Sequence, residues 1–176
     1  MQQTLVLLLG VPGSGKSTFA KQLAKHIHAP RISADNIRKN MFDNPREHMN
    51  SEDDLKVSNV MSYMVYEMLT AGQSVIYDGL VESYDKRQKL CKLASSMGAR
   101  CIIIEVSVAN DVAMKRLAPP EITPEYIDSY EQMVAEFMKS YEAPRDTEEA
   151  VTIRGDAPFE EQLEAFNKAR AIKNPM

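Results

Sequence analysis

An eight-residue segment near the start of the chain constrains the fold more than any other feature. Residues 10–17 read GVPGSGKS, which fits the pattern G-x-x-x-x-G-K-[ST] in full. The apolar run TLVLLL comes directly before it, and an amphipathic stretch follows at residues 16–28. A strand, a glycine-rich turn and a helix in this order direct successive backbone N–H groups and a helix N-terminus at one point. The segment therefore predicts a loop that binds phosphate groups.

The side chains of this loop predict how it binds a nucleotide. Lys16 carries a positive charge that can bridge the β- and γ-phosphate oxygens, and the Ser17 hydroxyl is the expected ligand of Mg²⁺. Thr18 is expected to assist at the α-phosphate. The sequence thus predicts ATP and Mg²⁺ as cofactors. The predicted ATP-binding residues of the loop are Gly10, Pro12, Gly13, Ser14, Gly15, Lys16, Ser17 and Thr18.

The rest of the chain alternates between predicted strands and predicted helices. This alternation predicts an α/β P-loop NTPase fold, a parallel five-stranded sheet with helices on both faces and a short helical lid. The length of 176 residues suits one domain, predicted over residues 1–176. Ser51 is the predicted cap of the third helix, and an apolar stripe runs from Tyr126 to Tyr141 after a cap at Thr123. The predicted strands are residues 4–9, 30–33, 74–77, 100–106 and 150–153.

Composition and charge narrow the class of protein further. The net charge of −4 and the pI of about 5.5 exclude the general basic field of a protein that coats nucleic acid. The longest apolar run is far shorter than the roughly 18 residues of a membrane span, so we expect no membrane contact. Cys91 and Cys101 lack metal-binding spacing, and the chain shows no signal-peptide pattern. We interpret them as two buried thiols in a reducing cytoplasm, which is the predicted location.

Residues 33–38 read SADNIR, and with residues 10–20 they carry a family resemblance. The chain lacks the N-K-x-D motif of GTPases and the acidic pair of motor and transporter ATPases. It resembles the kinase domain of the 5′-hydroxyl polynucleotide kinases and related small P-loop kinases of the zeta-toxin and chloramphenicol phosphotransferase types. The resemblance spans about residues 3–145, and its specific motifs are residues 10–18, Asp35 to Arg38, and Asp78.

This resemblance implies a role for several further residues. Asp35 would be the general base for the acceptor hydroxyl, and Arg38 would contact the acceptor's phosphate. Residues three apart on a helix face the same way, so the two can share one pocket. Asp78 would orient a magnesium-bound water or an acceptor-side arginine, although Gly79-Leu80 departs from the usual continuation. Arg116 would be the lid arginine that completes the catalytic set of Lys16, Asp35 and Arg116.

The sequence leaves the acceptor open. Lys86, Arg87, Lys89 and Lys92 follow the Asp78 strand and form either a short phosphate track or an ordinary solvated face. Arg87 is close enough in sequence to be a predicted substrate-binding residue. The leading hypothesis is a kinase acting on a hydroxyl of a nucleic acid, nucleotide or nucleoside. The alternatives are a small-metabolite or antibiotic kinase and a nucleotide-dependent switch, and a switch needs no acceptor base such as Asp35.

Overall fold

A five-stranded sheet forms the centre of the protein. The computed structural model describes residues 2–48 and 50–171. The strands follow the order β2-β3-β1-β4-β5 across the sheet, and every neighbouring pair is parallel. This architecture confirms the predicted α/β fold. The strands are β1 (Thr4–Leu9), β2 (Arg31–Ser33), β3 (Val75–Asp78), β4 (Arg100–Ser107) and β5 (Ala150–Arg154).

Helices connect the strands and cover both faces of the sheet. Their ends lie close to the predicted ones, but Asn50 rather than Ser51 caps the third helix, because its Oδ1 accepts a hydrogen bond of 3.0 Å from the Asp53 N–H. Pro45–His48 forms a short 3₁₀-helix within the predicted loop. Along the described ranges, every helix is too short or too polar to span a lipid bilayer. The α-helices are α1 (Lys16–Ile27), α2 (Ala34–Met41), α3 (Ser51–Thr70), α4 (Tyr84–Ser96), α5 (Asn110–Leu117), α6 (Pro124–Ser140) and α7 (Phe159–Ala171).

Strand β1 is buried on both faces, which explains its continuous apolar sequence. Side chains alternate between the two faces of a strand. Leu5 and Leu7 accordingly pack with Val57 and Met61 of α3 in one hydrophobic cluster, while Val6 joins a second cluster on the opposite face. All six residues of β1 are buried. The strand therefore gives a fixed support to the glycine-rich loop that follows it.

Helix α6 is less buried than its apolar stripe suggests. Tyr130 is its one buried residue, and Met133 and Met138 are exposed. Phe137, which is partly buried, packs against the cluster that contains Leu5. The helix thus contacts the rest of the protein along a narrow line rather than along the whole stripe.

Helix α4 is covalently tied to strand β4. Cys91 and Cys101 form a disulfide bond, with Cα atoms 5.1 Å apart. The expectation of two free buried thiols was wrong. Cys91 packs against the cluster that contains Leu5, and the tight turn after α4 returns the chain directly into β4. The two cysteines therefore meet although neither has a motif that would indicate pairing.

Candidate functional site

The register of the sheet gathers the predicted site residues at one edge. Leu8 of β1 aligns with Asp78 of β3, and Asp78 aligns with Ser33 of β2. The glycine-rich loop, Asp78 and the start of α2 therefore all follow the carboxyl ends of three adjacent strands. Ligands of open parallel sheets bind at this edge.

Only glycine fits at two positions of the loop after β1, because the backbone there has a positive φ angle and passes close to a carbonyl oxygen. Gly10 and Gly13 have positive φ angles of 140° and 79°. A Cβ atom at these positions would lie 2.4 Å from the Val106 carbonyl oxygen and 2.3 Å from the Ala113 carbonyl oxygen. Any side chain would therefore force the loop out of this path. Ser14, one of the predicted ATP-binding residues, is buried. It can therefore contact a nucleotide through its backbone.

The start of α1 is open to an anion. Gly15 occupies the N-cap position and provides no side-chain cap. Ser17 lies half-buried and Thr18 exposed in the first turn, and Pro12 is half-buried in the loop. The first N–H groups of a helix carry a partial positive charge and need partners from outside the helix. The structure therefore presents the donors that a phosphate group requires.

Lys16 folds back onto the loop. Its Nζ donates hydrogen bonds to the carbonyl oxygens of Gly10, at 2.6 Å, and Val11, at 2.9 Å. Burial lowers the pKa of Lys16, and the nearby carboxylates of Asp78, Glu82 and Asp35 partly oppose this shift. Lys16 thus lies within the electrostatic influence of three acidic side chains.

Sequence reasoning missed Glu82 as a member of this acidic group. The residue follows the β3 strand by four positions and lies in a segment with no recognisable motif. Its side chain is mostly buried and its Oε2 accepts a hydrogen bond of 3.0 Å from Lys86 Nζ. Its charge acts on the pKa of Lys16, an effect that depends on the folded arrangement of the two segments.

Arg31 holds Asp78 in place. Arg31 Nε donates to Asp78 Oδ2 at 2.9 Å, and Arg31 Nη2 donates to the same oxygen and to the Ser33 hydroxyl, the latter at 3.2 Å. The Asp78 side chain is only 4% exposed. Among the side chains that the structure describes, none donates a hydrogen bond to Asp78 Oδ1. Sequence reasoning missed Arg31, because a first residue of a short edge strand carries no signal of this contact.

Asp35 and Arg38 come together on the first turn of α2, as their spacing predicts. The Ser33 hydroxyl caps this helix by accepting a hydrogen bond from the Asn36 N–H. Asp35 Oδ1 lies 3.6 Å from Arg38 Nη1, and the Asp35 side chain is 75% exposed. Arg38 is buried, and its Nη2 is paired with Asp54 of α3. The structure thus leaves the Asp35 carboxylate accessible and neutralises Arg38.

The residues at this edge fit a magnesium ion that arrives with a nucleotide. In the part of the chain that the structure describes, no three acidic, histidine or cysteine side chains form a metal cluster. Mg²⁺ bound to a nucleotide takes most of its ligands from phosphates and water, and one or two from protein oxygens. The Ser17 hydroxyl on α1 and the open Oδ1 of Asp78 are donors of that hard-oxygen type.

Arg116 contacts the outside of the glycine-rich loop. Its Nη1 donates to the Ser14 carbonyl oxygen at 3.1 Å, and its Nη2 donates to the Gly155 carbonyl oxygen at 3.0 Å. The predicted lid therefore rests on the loop, and the Tyr130 hydroxyl of α6 also reaches the Pro12 carbonyl oxygen, at 3.4 Å. The bonds to Ser14 and Gly155 use two of the five N–H donors of the Arg116 guanidinium.

Arg87 does not lie where an acceptor could reach it. Its side chain is completely buried and forms a two-point salt bridge with Glu148, at 2.8 and 2.9 Å. It also donates to the carbonyl oxygens of Val81, Glu82 and Glu142. The expectation that Arg87 binds substrate is thus corrected, since all of its contacts are internal. These contacts join α4 to the segment after β3 and to the segment after α6.

Several known proteins are similar to this chain in sequence or in fold. The chain is 32% identical over 125 residues to an adenylate kinase of Acidothermus cellulolyticus, a match that covers 64% of this chain and 57% of that enzyme. The chain therefore spans little more than half the length of that relative. A gluconokinase structure from Sinorhizobium meliloti 1021 is 19% identical with a TM-score of 0.66, over 95% of this chain and 91% of that chain.

A likeness to a nucleic-acid repair assembly is weaker. A chain of a Pnkp1/Rnl/Hen1 complex matches with a TM-score of 0.57 and 22% identity, over 70% of this chain and 42% of that chain. At these identities the structural matches show the fold alone. The sequence profile described as "AAA domain" matches residues 5–144, which is most of the chain. This match extends from β1 through the glycine-rich loop, Asp78 and the lid helices, so the chain belongs to the AAA domain family and has the P-loop nucleotide-binding fold.

Proposed function

We propose that the protein is an ATP-dependent kinase that transfers the γ-phosphoryl group of ATP·Mg²⁺ to an alcohol. The observation that carries this proposal is the exposed Asp35 carboxylate, which lies among the acidic groups near Lys16 at the carboxyl edge of the sheet. A protein that only binds a nucleotide has no use for a base at this position. An alcohol acceptor does require one, because its hydroxyl proton must leave.

Each part of the site has a role in this reaction. The loop amides and the N-terminus of α1 bind the phosphates, and Lys16 exchanges its bonds to Gly10 and Val11 for phosphate oxygens. Arg116 is the proposed source of a further positive charge at the transferring group. Bound Mg²⁺ would neutralise phosphate charge, with Ser17 and Asp78 as its proposed protein ligands.

The transfer itself involves one proton and one phosphorus–oxygen bond exchange. Asp35 takes the proton of the acceptor hydroxyl while the acceptor oxygen bonds to the γ-phosphorus. The bond between that phosphorus and the bridging oxygen breaks, and ADP leaves with the bonding electrons. Base catalysis of this kind contributes roughly 10² to 10⁴ in rate.

An alcohol acceptor distinguishes this proposal from adenylate kinase activity, in which the acceptor is a phosphate. A phosphate oxygen is already ionised and needs no base. The leading acceptor class from sequence is a nucleic acid, nucleotide or nucleoside. The structural likeness to a chain of the Pnkp1/Rnl/Hen1 complex supports this class. The second candidate is a small metabolite, which the fold shared with a gluconokinase over nearly the full length of both chains supports.

The test is to follow the label of [γ-³²P]ATP in the presence of Mg²⁺. The acceptor panel contains 5′-hydroxyl DNA and RNA, nucleosides, AMP, sugars and other hydroxylated small molecules. Wild-type protein should label an alcohol, and Asp35→Asn should retain ATP binding while losing transfer by roughly 10²-fold or more. Asp128→Asn, which changes an exposed aspartate of α6, is the matched control. Label found only in inorganic phosphate, or in ADP formed from AMP, would refute the alcohol kinase.

A further inference from the structure

The cations described below, around the proposed acceptor side, are already paired with carboxylates. Arg31 binds Asp78, and Lys86 binds Glu82 at 3.0 Å. Arg38 is paired with Asp54 and lies 3.6 Å from Asp35. The surroundings of Lys16 therefore contain positive charges that are largely cancelled before any acceptor binds.

Neither arginine offers a phosphate an unopposed positive charge. The side chains of Arg31 and Arg38 are 14% and 8% exposed. Breaking the Arg31–Asp78 pair would leave a carboxylate that is only 4% exposed without compensation in a region of low dielectric constant. Asp54 is 34% exposed, so Arg38 is held less tightly, but a phosphate bound to Arg38 would lie beside the carboxylates of Asp54 and Asp35.

The carboxylates near Lys16 add a repulsive effect. Asp35, Asp78 and Glu82 all act on this ammonium group through their charge. In the proposed reaction Lys16 is occupied by the phosphates of ATP, so it cannot also neutralise a second anion. A phosphate group on the acceptor would then be repelled by these carboxylates, since like charges repel.

Other lysines in this region do not supply the missing positive charge. Lys56 of α3 is bound to Glu52 and Asp53, each at 3.0 Å. Lys39 of α2 is exposed and forms no ion pair among the described residues. A lone exposed ammonium is screened by water and salt, so it makes a weak phosphate site.

We infer that the acceptor is an uncharged alcohol, such as a polyol or nucleoside, and that a phosphate on the acceptor hinders its use. This inference rests on the proposed function and narrows it. Among the nucleic-acid, nucleotide and nucleoside acceptors, it favours the nucleoside. Among small metabolites, it favours the uncharged ones. It disfavours nucleotides and nucleic-acid ends, which carry phosphate groups next to the reacting sugar.

The test compares matched acceptors that differ by one phosphate. Phosphoryl transfer from [γ-³²P]ATP is measured at low ionic strength with nucleosides and the corresponding 3′-monophosphates, and with polyols and their monophosphates. We expect kcat/KM to be at least about tenfold higher for the uncharged member of an accepted pair. Label transferred efficiently to the hydroxyl of phosphate-bearing acceptors alone would overturn the inference and leave the alcohol kinase intact. Label in no alcohol would overturn the proposed function itself.

A pair of variants tests the physical cause. Asp54→Asn removes the carboxylate that neutralises Arg38, so the preference for uncharged acceptors should shrink by about an order of magnitude. Glu52→Gln changes a carboxylate two residues away that pairs with Lys56 instead of Arg38, so the preference should stay as in the wild type. An unchanged preference in Asp54→Asn, with both variants folded, would show that cation pairing does not select the acceptor.

Discussion

Arg31 binds Asp78 through one carboxylate oxygen and leaves the other free. Nε and Nη2 of Arg31 both donate to Oδ2, while Oδ1 accepts no hydrogen bond within the described ranges. The pair joins neighbouring strands β2 and β3 directly below the first turn of α2. The arginine thereby fixes the orientation of a nearly buried carboxylate, which is what a ligand of a nucleotide-bound Mg²⁺ requires.

Replacing Arg31 should therefore change the magnesium requirement. In Arg31→Gln, Asp78 loses the charged partner that fixes its orientation, so the Mg²⁺ concentration needed for half-maximal ATP binding should rise about 10-fold. Arg31→Lys keeps the charge but not the two-pronged set of donors. Its half-maximal Mg²⁺ concentration should lie between those of Arg31→Gln and the wild type. Titration of ATP binding with Mg²⁺ measures the effect. An unchanged magnesium dependence in folded Arg31→Gln protein would show that Arg31 is merely structural.

Lys16→Ala should weaken ATP binding. A hydrogen bond to a charged group contributes about 1.5–3 kcal/mol, which corresponds to roughly 10- to 100-fold in affinity. Lys21→Ala changes an exposed lysine of the same helix and should have no measurable effect. Isothermal titration calorimetry with ATP·Mg²⁺ gives both affinities. Wild-type affinity in Lys16→Ala would mean that the glycine-rich loop does not bind the nucleotide in the proposed way.

Arg87 should behave as part of the interior. In Arg87→Met the buried Glu148 carboxylate loses its charge partner, and the free energy of unfolding should fall by about 3–5 kcal/mol. The double variant Arg87→Met/Glu148→Met removes both charges and should recover part of that loss. Urea unfolding measures the stabilities. A variant with wild-type stability and a raised KM for the acceptor would instead return Arg87 to the substrate site.

The Cys91–Cys101 disulfide should stabilise the fold. It closes a short loop between α4 and β4, so reduction should lower the free energy of unfolding by about 2–3 kcal/mol. Cys91→Ser/Cys101→Ser is expected to match the reduced protein. Thiol labelling of protein quenched directly from cells, followed by urea unfolding with and without reductant, measures both redox state and stability. Two fully labelled thiols would support the predicted reducing cytoplasm, whereas no labelling would place the pair in an oxidising environment.

The fold could be read from the sequence because its signals are local. The apolar run of β1 and the glycines of the loop each lie within one short segment. Asp35 and Arg38 meet because they are one helical turn apart. The predicted helix α6 is present, but its apolar stripe is only partly buried, since Met133 and Met138 are exposed. Helical spacing shows which residues share a face, but not how much of that face is covered.

The remaining features depend on contacts between distant segments. Arg31 and Asp78 are separated by 47 positions, and Arg87 and Glu148 by 61. A sequence shows that a charge is present, but the carboxylate that neutralises it becomes known only when the strands are placed side by side. Arg87 was assigned to the acceptor for this reason, although its charge lies inside the protein.

The proposed phosphoryl transfer depends most directly on where the Asp35 carboxylate lies relative to the terminal phosphate of bound ATP. A crystal structure with a non-hydrolysable ATP analogue and Mg²⁺ would measure this relationship. We predict that the phosphates lie on the glycine-rich loop with Lys16 at the γ-phosphate, and that the Asp35 carboxylate faces the γ-phosphorus across a cavity large enough for an alcohol. An Asp35 side chain directed away from that phosphorus, with no such cavity between them, would contradict the kinase proposed here.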